Sequence, residues 1–386
     1  MSQLLFPAAA IFALVIAAFS SAASSGKTVM LSSQARWLTN DGARVFALLE
    51  SGEVVRTEGS SITSVAKAWS KDAPIKFAHG RLHGINTQGE LQVLEGERIR
   101  SSSGAKLSLN AGVLPLPAGV IAVAENGDLL RLESSGEAWK IVERAKLNAL
   151  RDARLSLVDL EGSGNGEVAA LVGTSTDRYK HGVLGDAIEA TSVVILERHS
   201  LEVIHRYDLP APYVFEDITL RPVRIGARDQ LALVRSGPNT GAALALLGLN
   251  ADKLELSLGP DFGQPNRWLN PLVGFGEVYA VHTPHIGGVL TRYAPSEGSL
   301  SASKQLEGFS SHSINSRNLE SAMVIAPGVL IVPNQMHNKL QKIACSSKCE
   351  IKSGYDLGAA YSSNLVMTGD AVVIGSEDRK LHFWNP

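Results

Sequence analysis

Cysteine is almost missing from this 386-residue chain: there are two, Cys345 and Cys349. That rules out a disulfide-framework fold, and the spacing offers too few ligands for a thiolate metal site. A surplus of positive charge is missing too. Thirty-six Lys and Arg stand against 38 Asp and Glu, net charge −2, so the basic footprint of a nucleic-acid binder is absent. No long run of like charge suggests a disordered tail. Few windows hold helical spacing over three turns. There is no G-x-S-x-G, H-E-x-x-H or phosphate-binding G-x-x-x-x-G-K motif, which removes the best-marked hydrolase and nucleotide classes. After the N-terminal stretch, no segment is apolar for long enough to span a bilayer.

What is present begins with "MSQLLFPAAAIFALVIAAFSSAASSGK". The apolar run from Leu4 to Phe19 is short for a spanning helix, which needs about 20 residues. Ser21-Ala22-Ala23 has the small-x-small pattern of a cleavage site, so residues 1–23 read as a secretory signal peptide. No Lys or Arg precedes the run; the alternative is an uncleaved N-terminal anchor. No Cys lies near the cleavage site to carry a lipid. The reading places the protein in the periplasm or outside the cell. There, Cys345 and Cys349, flanking a three-residue polar turn between strand-like runs, are expected to form a disulfide. The closed loop is small, so it adds little through chain entropy.

A short apolar strand, a polar turn and a second strand recur eight times. The instances run from "RVFALLESGEVVRTEG" and "RLHGINTQGELQVLEG" to "GVLIVPNQMHNKLQKIAC" and "DAVVIGSEDRKLHFWNP". Alternation within them favours strands. About 360 residues over eight units gives roughly 45 each, the size of a four-stranded blade. Residues 27–386 therefore predict one all-β, eight-bladed β-propeller. The last unit ends short of an outer strand, so residues 27–33 are expected to supply it and remove the open edges. Between "EVAALVG" and "TSVVILE" lies a long insertion, residues 174–190. It is either a lid or a surface excursion.

"VDLEGSGNGEVAALVG", residues 158–173, resembles the FG-GAP or VCBS repeat, whose loop runs D-x-D-G-D-G-x-x-D/E before an apolar strand. The resemblance implies a bacterial or integrin-type propeller and calcium as the one cofactor. Asp159, Glu161, Ser163 and Glu167 fall on its side-chain ligand positions, and Asn165 on a backbone-carbonyl position. Glu161 and Ser163 depart from the pattern, and other units keep only Asp229 or Glu277. The alternative is a Gly-rich turn without an ion. "VFED", "RSGPNTGAALALLGL", "RWLNP", "PHIGG" and "GFSSHSINSRNL" resemble exported VCBS-like bacterial proteins, which implies a fold and no particular activity.

In a four-stranded blade the second-to-third-strand turns and the links between blades share one face. "RSGPNTG", "HTPHIGG", "PNQMHNK" and "SEDRK" are such turns. "YVFEDI", "PNRWLNP" and "FSSHSINSR" are such links. Together with the insertion they bring Asp177, Arg178, His181, Glu216, Asp217, Arg235, Arg267, Trp268, Asn270, His285, His312, Arg317 and Asn334 to one mouth. Each has a structural alternative: a capping His, a Trp plugging two blades, an Arg–acid bridge. Units one to three carry only the generic turns "LESGE", "NTQGE" and "AENGD", and a purely structural ring needs no such asymmetry. The expected function is binding of a small polar or anionic ligand, a glycan or an envelope protein, with arginine forks matched to carboxylate or phosphate. The alternatives are a hydrolase or lyase using a His–carboxylate pair at that mouth, and an envelope assembly scaffold. His285, His312 and His337 are also weighed as metal ligands.

Overall fold

The computed structural model describes residues 26–173, 178–296 and 298–386. The leader at residues 1–23 and the candidate Asp177 lie outside the described residues. Every assigned element is a β-strand, and no helix among the described residues is long and apolar enough to cross a membrane.

The strands group into eight successive four-stranded antiparallel units. Blade 1 runs Ala35–Asn40, Val45–Leu49, Val54–Glu58 and Ser61–Ala66; blade 4 runs Ser156–Val158, Glu167–Val172, Ser192–Leu196 and Val203–Asp208. In blade 5 the inner edge is split, with Val214–Phe215 and Arg221–Ile225 both pairing Arg228–Gly237. Blade 6 spans Leu269–Glu307 and blade 7 spans Met323–Asp356. Blade 8 has three strands between Val366 and Trp384, and its fourth is Gly26–Met30, paired from Gly26↔Trp384 to Met30↔Lys380. The N-terminal strand therefore closes the last blade as expected. It starts at Gly26 and pairing ends soon after Met30, where Leu31 N–H donates to Arg379 O at 2.8 Å before the chain turns.

Burial explains why the strands read as they do. Second strands such as Val45–Leu49 ("VFALL") are buried throughout, whereas outer strands such as Val203–Asp208 are largely exposed. A strand covered on both faces needs apolar residues at successive positions. Successive residues of Glu167–Val172 face opposite neighbours: Val168, Ala170 and Val172 pack toward blade 3, Ala169 and Leu171 toward blade 5. Eight apolar clusters result, one between each consecutive pair of blades, including blade 8 against blade 1. A central channel of about 640 Å³ is lined by residues at or beside the innermost strand of all eight blades.

Cys345 and Cys349 are disulfide-bonded, facing each other at the end of the blade 7 hairpin with their Cα atoms 4.0 Å apart. The loop of Asp159 joins the first two strands of blade 4, so it lies on the face opposite the mouth.

Candidate binding site at the mouth of blades 4 to 7

The generic turn sets the reference. In blades 1 to 3 the turn glycines Gly52, Gly89 and Gly127 hold φ of 78°, 74° and 84°. Their carbonyls accept the N–H of Trp69, Leu107 and Ala149 in the following link, at 2.7–3.0 Å. A Cβ on any of the three would sit 2.8–2.9 Å from a link carbonyl oxygen, so only glycine fits without a shift. The same turn recurs in blades 7 and 8 with His337 (φ 62°) and Arg379 (φ 64°) in the glycine position. Their carbonyls likewise accept from Tyr361 and Leu31.

Blade 6 departs from this pattern. Its turn, Thr283 to Gly288, is anchored by Thr283 N–H to Trp268 O and clamped by Gln335, which accepts from Gly288 N–H and donates to Pro284 O, both 2.7 Å. Gly288 is obligatory: an added Cβ would lie 1.8 Å from Phe309 O. The turn presents His285 to the mouth. Its Nε2 is 2.8 Å from His312 Nδ1, and His312 Nε2 is 2.8 Å from Ser316 O. A carbonyl only accepts, so His312 carries its proton on Nε2, and its Nδ1 accepts the Nε2 proton of His285. That leaves the lone pair of His285 on Nδ1. Burial keeps both rings neutral, pushing His285 down to about 4 and His312 to about 3. Trp268 backs both: its ring lies 7° from parallel to His285 and 4.9 Å from His312. Its Nε1–H donates to Glu216 O at 3.0 Å, which ties blade 6 to the preceding link.

A second imidazole is built from the insertion. His181 Nδ1 lies 2.6 Å from Glu216 Oε1, and Glu216 Oε2 accepts from Ser236 Oγ at 2.5 Å. Glu216 is fully buried, and burial raises its pKa against the lowering effect of His181. With Nδ1–H donated to the carboxylate, the lone pair of His181 is on Nε2. Glu189 is 2% exposed, and burial together with Glu216, Asp186, Asp152 and Asp217 pushes its pKa well up.

These groups border a recess of about 710 Å³. Of the expected residues, His181, Arg267, Trp268 and His285 line it, with Glu216 and His312 directly behind. Arg267 donates one hydrogen bond, Nη1 to Asn266 O at 2.9 Å, and no carboxylate pairs with it among the described residues. The side-chain amides of Asn266 and Asn315 also line the recess, and neither makes a hydrogen bond among the described residues.

The other candidates are placed elsewhere. Arg235 is buried under Tyr213, with its guanidinium 4.3 Å from the ring centroid, and is bridged to Asp261. Asp217 pairs with Arg221 at 2.7 Å, both buried. Asn270 accepts from Arg221 and donates to Ser311 and Leu319, so it ties the inner edges of blades 5, 6 and 7 together. Arg317 bridges Asp152 and Asp186, each at 2.9 Å, beside a separate recess between blades 3 and 4. Arg178 donates to the carbonyls of Leu209 and Tyr213. Asn334 folds its own turn by accepting from Asn338 and Lys339. Among the described residues no group of three or more His, Cys, Asp or Glu side chains is placed to hold a metal ion. His285 and His312 bond to each other, and His337 spends its two nitrogens on Ser310 and Ser313. In the Asp159 loop a guanidinium is the cation: Arg224 pairs with Asp159 at 3.1 Å and Asp229 at 2.9 Å, while Glu167 accepts Leu160 N–H.

Asn266, Ile286, Ile314, Asn315 and Gln335 line the recess and escaped the sequence reading, which weighted charge and imidazoles. The signal for two of them was available: Ile286 and Ile314 are large apolar residues flanked by polar or turn residues in their connections.

Comparison with solved structures agrees with this architecture. The chain is similar to BamB from Moraxella catarrhalis at TM-score 0.58 and 12% identity, over 93% of this chain and 96% of that one. It is similar to Sqt1 from Saccharomyces cerevisiae at TM-score 0.61 and 9% identity, over 94% and 99%. The chain has the β-propeller fold. The computationally designed protein Ika8 is similar at TM-score 0.61 and 10% identity, over 93% and 99%. At such identities the propeller likeness is one of fold alone. No protein-family model matches the chain, and no curated protein matches it by sequence.

Proposed function

We propose that this is an exported binding propeller whose mouth recess between blades 4 and 7 holds an anionic group of a ligand or partner. Arg267 carries the reading: it is the cation on the recess without a carboxylate partner among the described residues. A guanidinium left with free donors matches a carboxylate or phosphate. The two lone pairs, on His181 Nε2 and His285 Nδ1, accept hydrogen bonds from hydroxyl or amide groups beside that anion. The test is calorimetry with acetate, inorganic phosphate and glucuronate. At least one binds the wild type, and Arg267→Gln weakens it at least tenfold with Tm unchanged, because among the described residues the Arg267 side chain bonds only within its own link. Failure of all three to bind, or equal binding by the variant, overturns the reading.

One observation favours a second reading. The His181–Glu216 pair is oriented as a general base facing the recess. On that reading His181→Asn abolishes turnover of a bound ligand while leaving its affinity within about threefold. Unchanged turnover removes it.

Export is supported by the apolar leader with its small-residue end and by the disulfide of blade 7. Exported material is expected to begin after Ala23, which N-terminal sequencing checks. For the FG-GAP/VCBS-like loop we infer that Arg224 takes the place of calcium. Added calcium should leave Tm unchanged; a rise of several degrees that Asp159→Asn removes would restore the ion.

A further inference from the structure

Three large apolar side chains are more exposed than any other among the described residues: Met336 at 73%, Ile286 at 67% and Ile314 at 64%. They belong to three different connections, the blade 7 turn, the blade 6 turn and the link between them. All three stand around the same recess. Ile286 and Ile314 line it directly, and Met336 lies between Gln335 and His337, which also line it. Exposed apolar residues scattered singly need no explanation, but the most exposed ones gathered around one recess mark an interaction surface.

We propose that this collar docks an extended segment of a partner protein in which a carboxylate side chain alternates with large aliphatic ones. The proposal rests on the anion reading of Arg267 and names the occupant. Charge complementarity supplies the carboxylate: one guanidinium without a carboxylate partner among the described residues, three imidazoles and no acid side chain line the recess. The collar supplies the aliphatic positions, because its three side chains are separate points around the rim. An alkyl chain needs a continuous apolar tunnel, whereas here Trp268 and Val183 are interrupted by Asn266, Asn315, Ser313 and the imidazoles. The free amides of Asn266 and Asn315 are instead suited to the backbone N–H and C=O of a peptide, which must be satisfied wherever they leave water. In an extended peptide successive side chains point to opposite sides, so a central acid directed inward places its neighbours outward against the collar. A recess of about 710 Å³ is of the size that holds a compact ligand or a few residues.

The experiment measures affinity of the whole chain for three acetylated hexapeptides: alternating Asp and Leu, alternating Asp and Ser, and alternating Asn and Leu. Dodecanoate serves as a lipid-like control. The Asp–Leu peptide is expected to bind at least tenfold tighter than either other peptide or dodecanoate. Arg267→Gln should abolish that preference. The combined Ile286→Ser, Ile314→Ser and Met336→Ser variant should reduce Asp–Leu binding at least tenfold and Asp–Ser binding by less than about threefold, so that the preference between the two peptides disappears. All three residues are exposed, so their replacement should not shift Tm. Equal binding of Asp–Leu and Asp–Ser, or no effect of the collar variant, overturns the collar while leaving the anion site standing. Dodecanoate binding tighter than the peptide, in a collar-dependent way, overturns the protein partner. Loss of every anionic probe would instead remove the reading beneath.

Discussion

Blades 1 to 3 and blades 4 to 7 share one strand architecture and use their mouth-side connections differently. In the first group a glycine turn hydrogen-bonds the next link, and every ion pair among the described residues keeps at least one partner well exposed, as with Arg36 and Glu50, whose side chains are 40% and 42% exposed. In the second group the connections bury charged groups: Asp217 with Arg221, Glu216 hydrogen-bonded to His181, and Arg235 against the more exposed Asp261. Burying charge is costly unless it is paired. A ring that needs only to close can do so with glycine turns. The second half carries polar interiors that closure does not require, and that is where Arg267 and two imidazole lone pairs are left over.

The largest expected effect tests that contrast directly. Arg221→Met leaves Asp217 buried without its cation and should cost about 3–5 kcal/mol, whereas Arg36→Met at the surface of blade 1 should cost at most about 1 kcal/mol. Denaturant unfolding of the two variants measures the difference; equal losses would erase the distinction between the halves.

Next in size is a pH effect centred on the His285–His312 pair. His312 is held neutral down to about 3 in the folded protein against 6.5 when free, and His285 down to about 4. The unfolded chain therefore binds more protons below 6.5. The stability these rings contribute is complete above that pH and is lost as pH falls toward 4. The raised carboxyls, Glu189, Glu216 and Asp217, work in the opposite sense, losing stability as pH rises through their folded values. His312→Gln keeps a donor for Ser316 and an acceptor for His285. It should flatten the slope by about 1.4 kcal/mol per pH unit between 6.5 and 4. An unchanged slope would mean that His312 is already charged, and the proton order assigned to the pair would be wrong.

The smallest effect concerns the shared turn. Arg379 occupies the left-handed position that glycine fills in blades 1 to 3, and its side chain is exposed. Arg379→Gly should stabilise the ring by about 0.5–1 kcal/mol. Gly89→Ala should destabilise it, since its Cβ would meet Leu107 O at 2.9 Å. Opposite signs in thermal unfolding confirm one turn type; matching signs break the equivalence.

The same contrast explains what the sequence disclosed. Sandwiched second and third strands leave nearly continuous apolar runs such as "VFALL" and "SVVIL", so the blades could be counted and the closing strand assigned. The face could be deduced from connectivity alone, which is why His181, Arg267, Trp268 and His285 were found together. Which charges remain free could not be read. Arg235 and Arg267 look alike in sequence, and only the fold brings Asp261 to the first and leaves the second on the recess. The apolar collar was missed for a related reason: a lone Ile in a polar loop is unremarkable until three connections converge.

The most direct test of the account is a graft. Residues 283–287 of blade 6 are replaced by the Ser-Gly-Glu turn of blade 1, and the affinity of the folded product for acetate, phosphate and glucuronate is measured by calorimetry. The account predicts a closed propeller with near-normal Tm and at least tenfold weaker anion binding, because Arg267 remains while His285 and the wall of the recess are gone. Binding at wild-type strength by the grafted protein would contradict it.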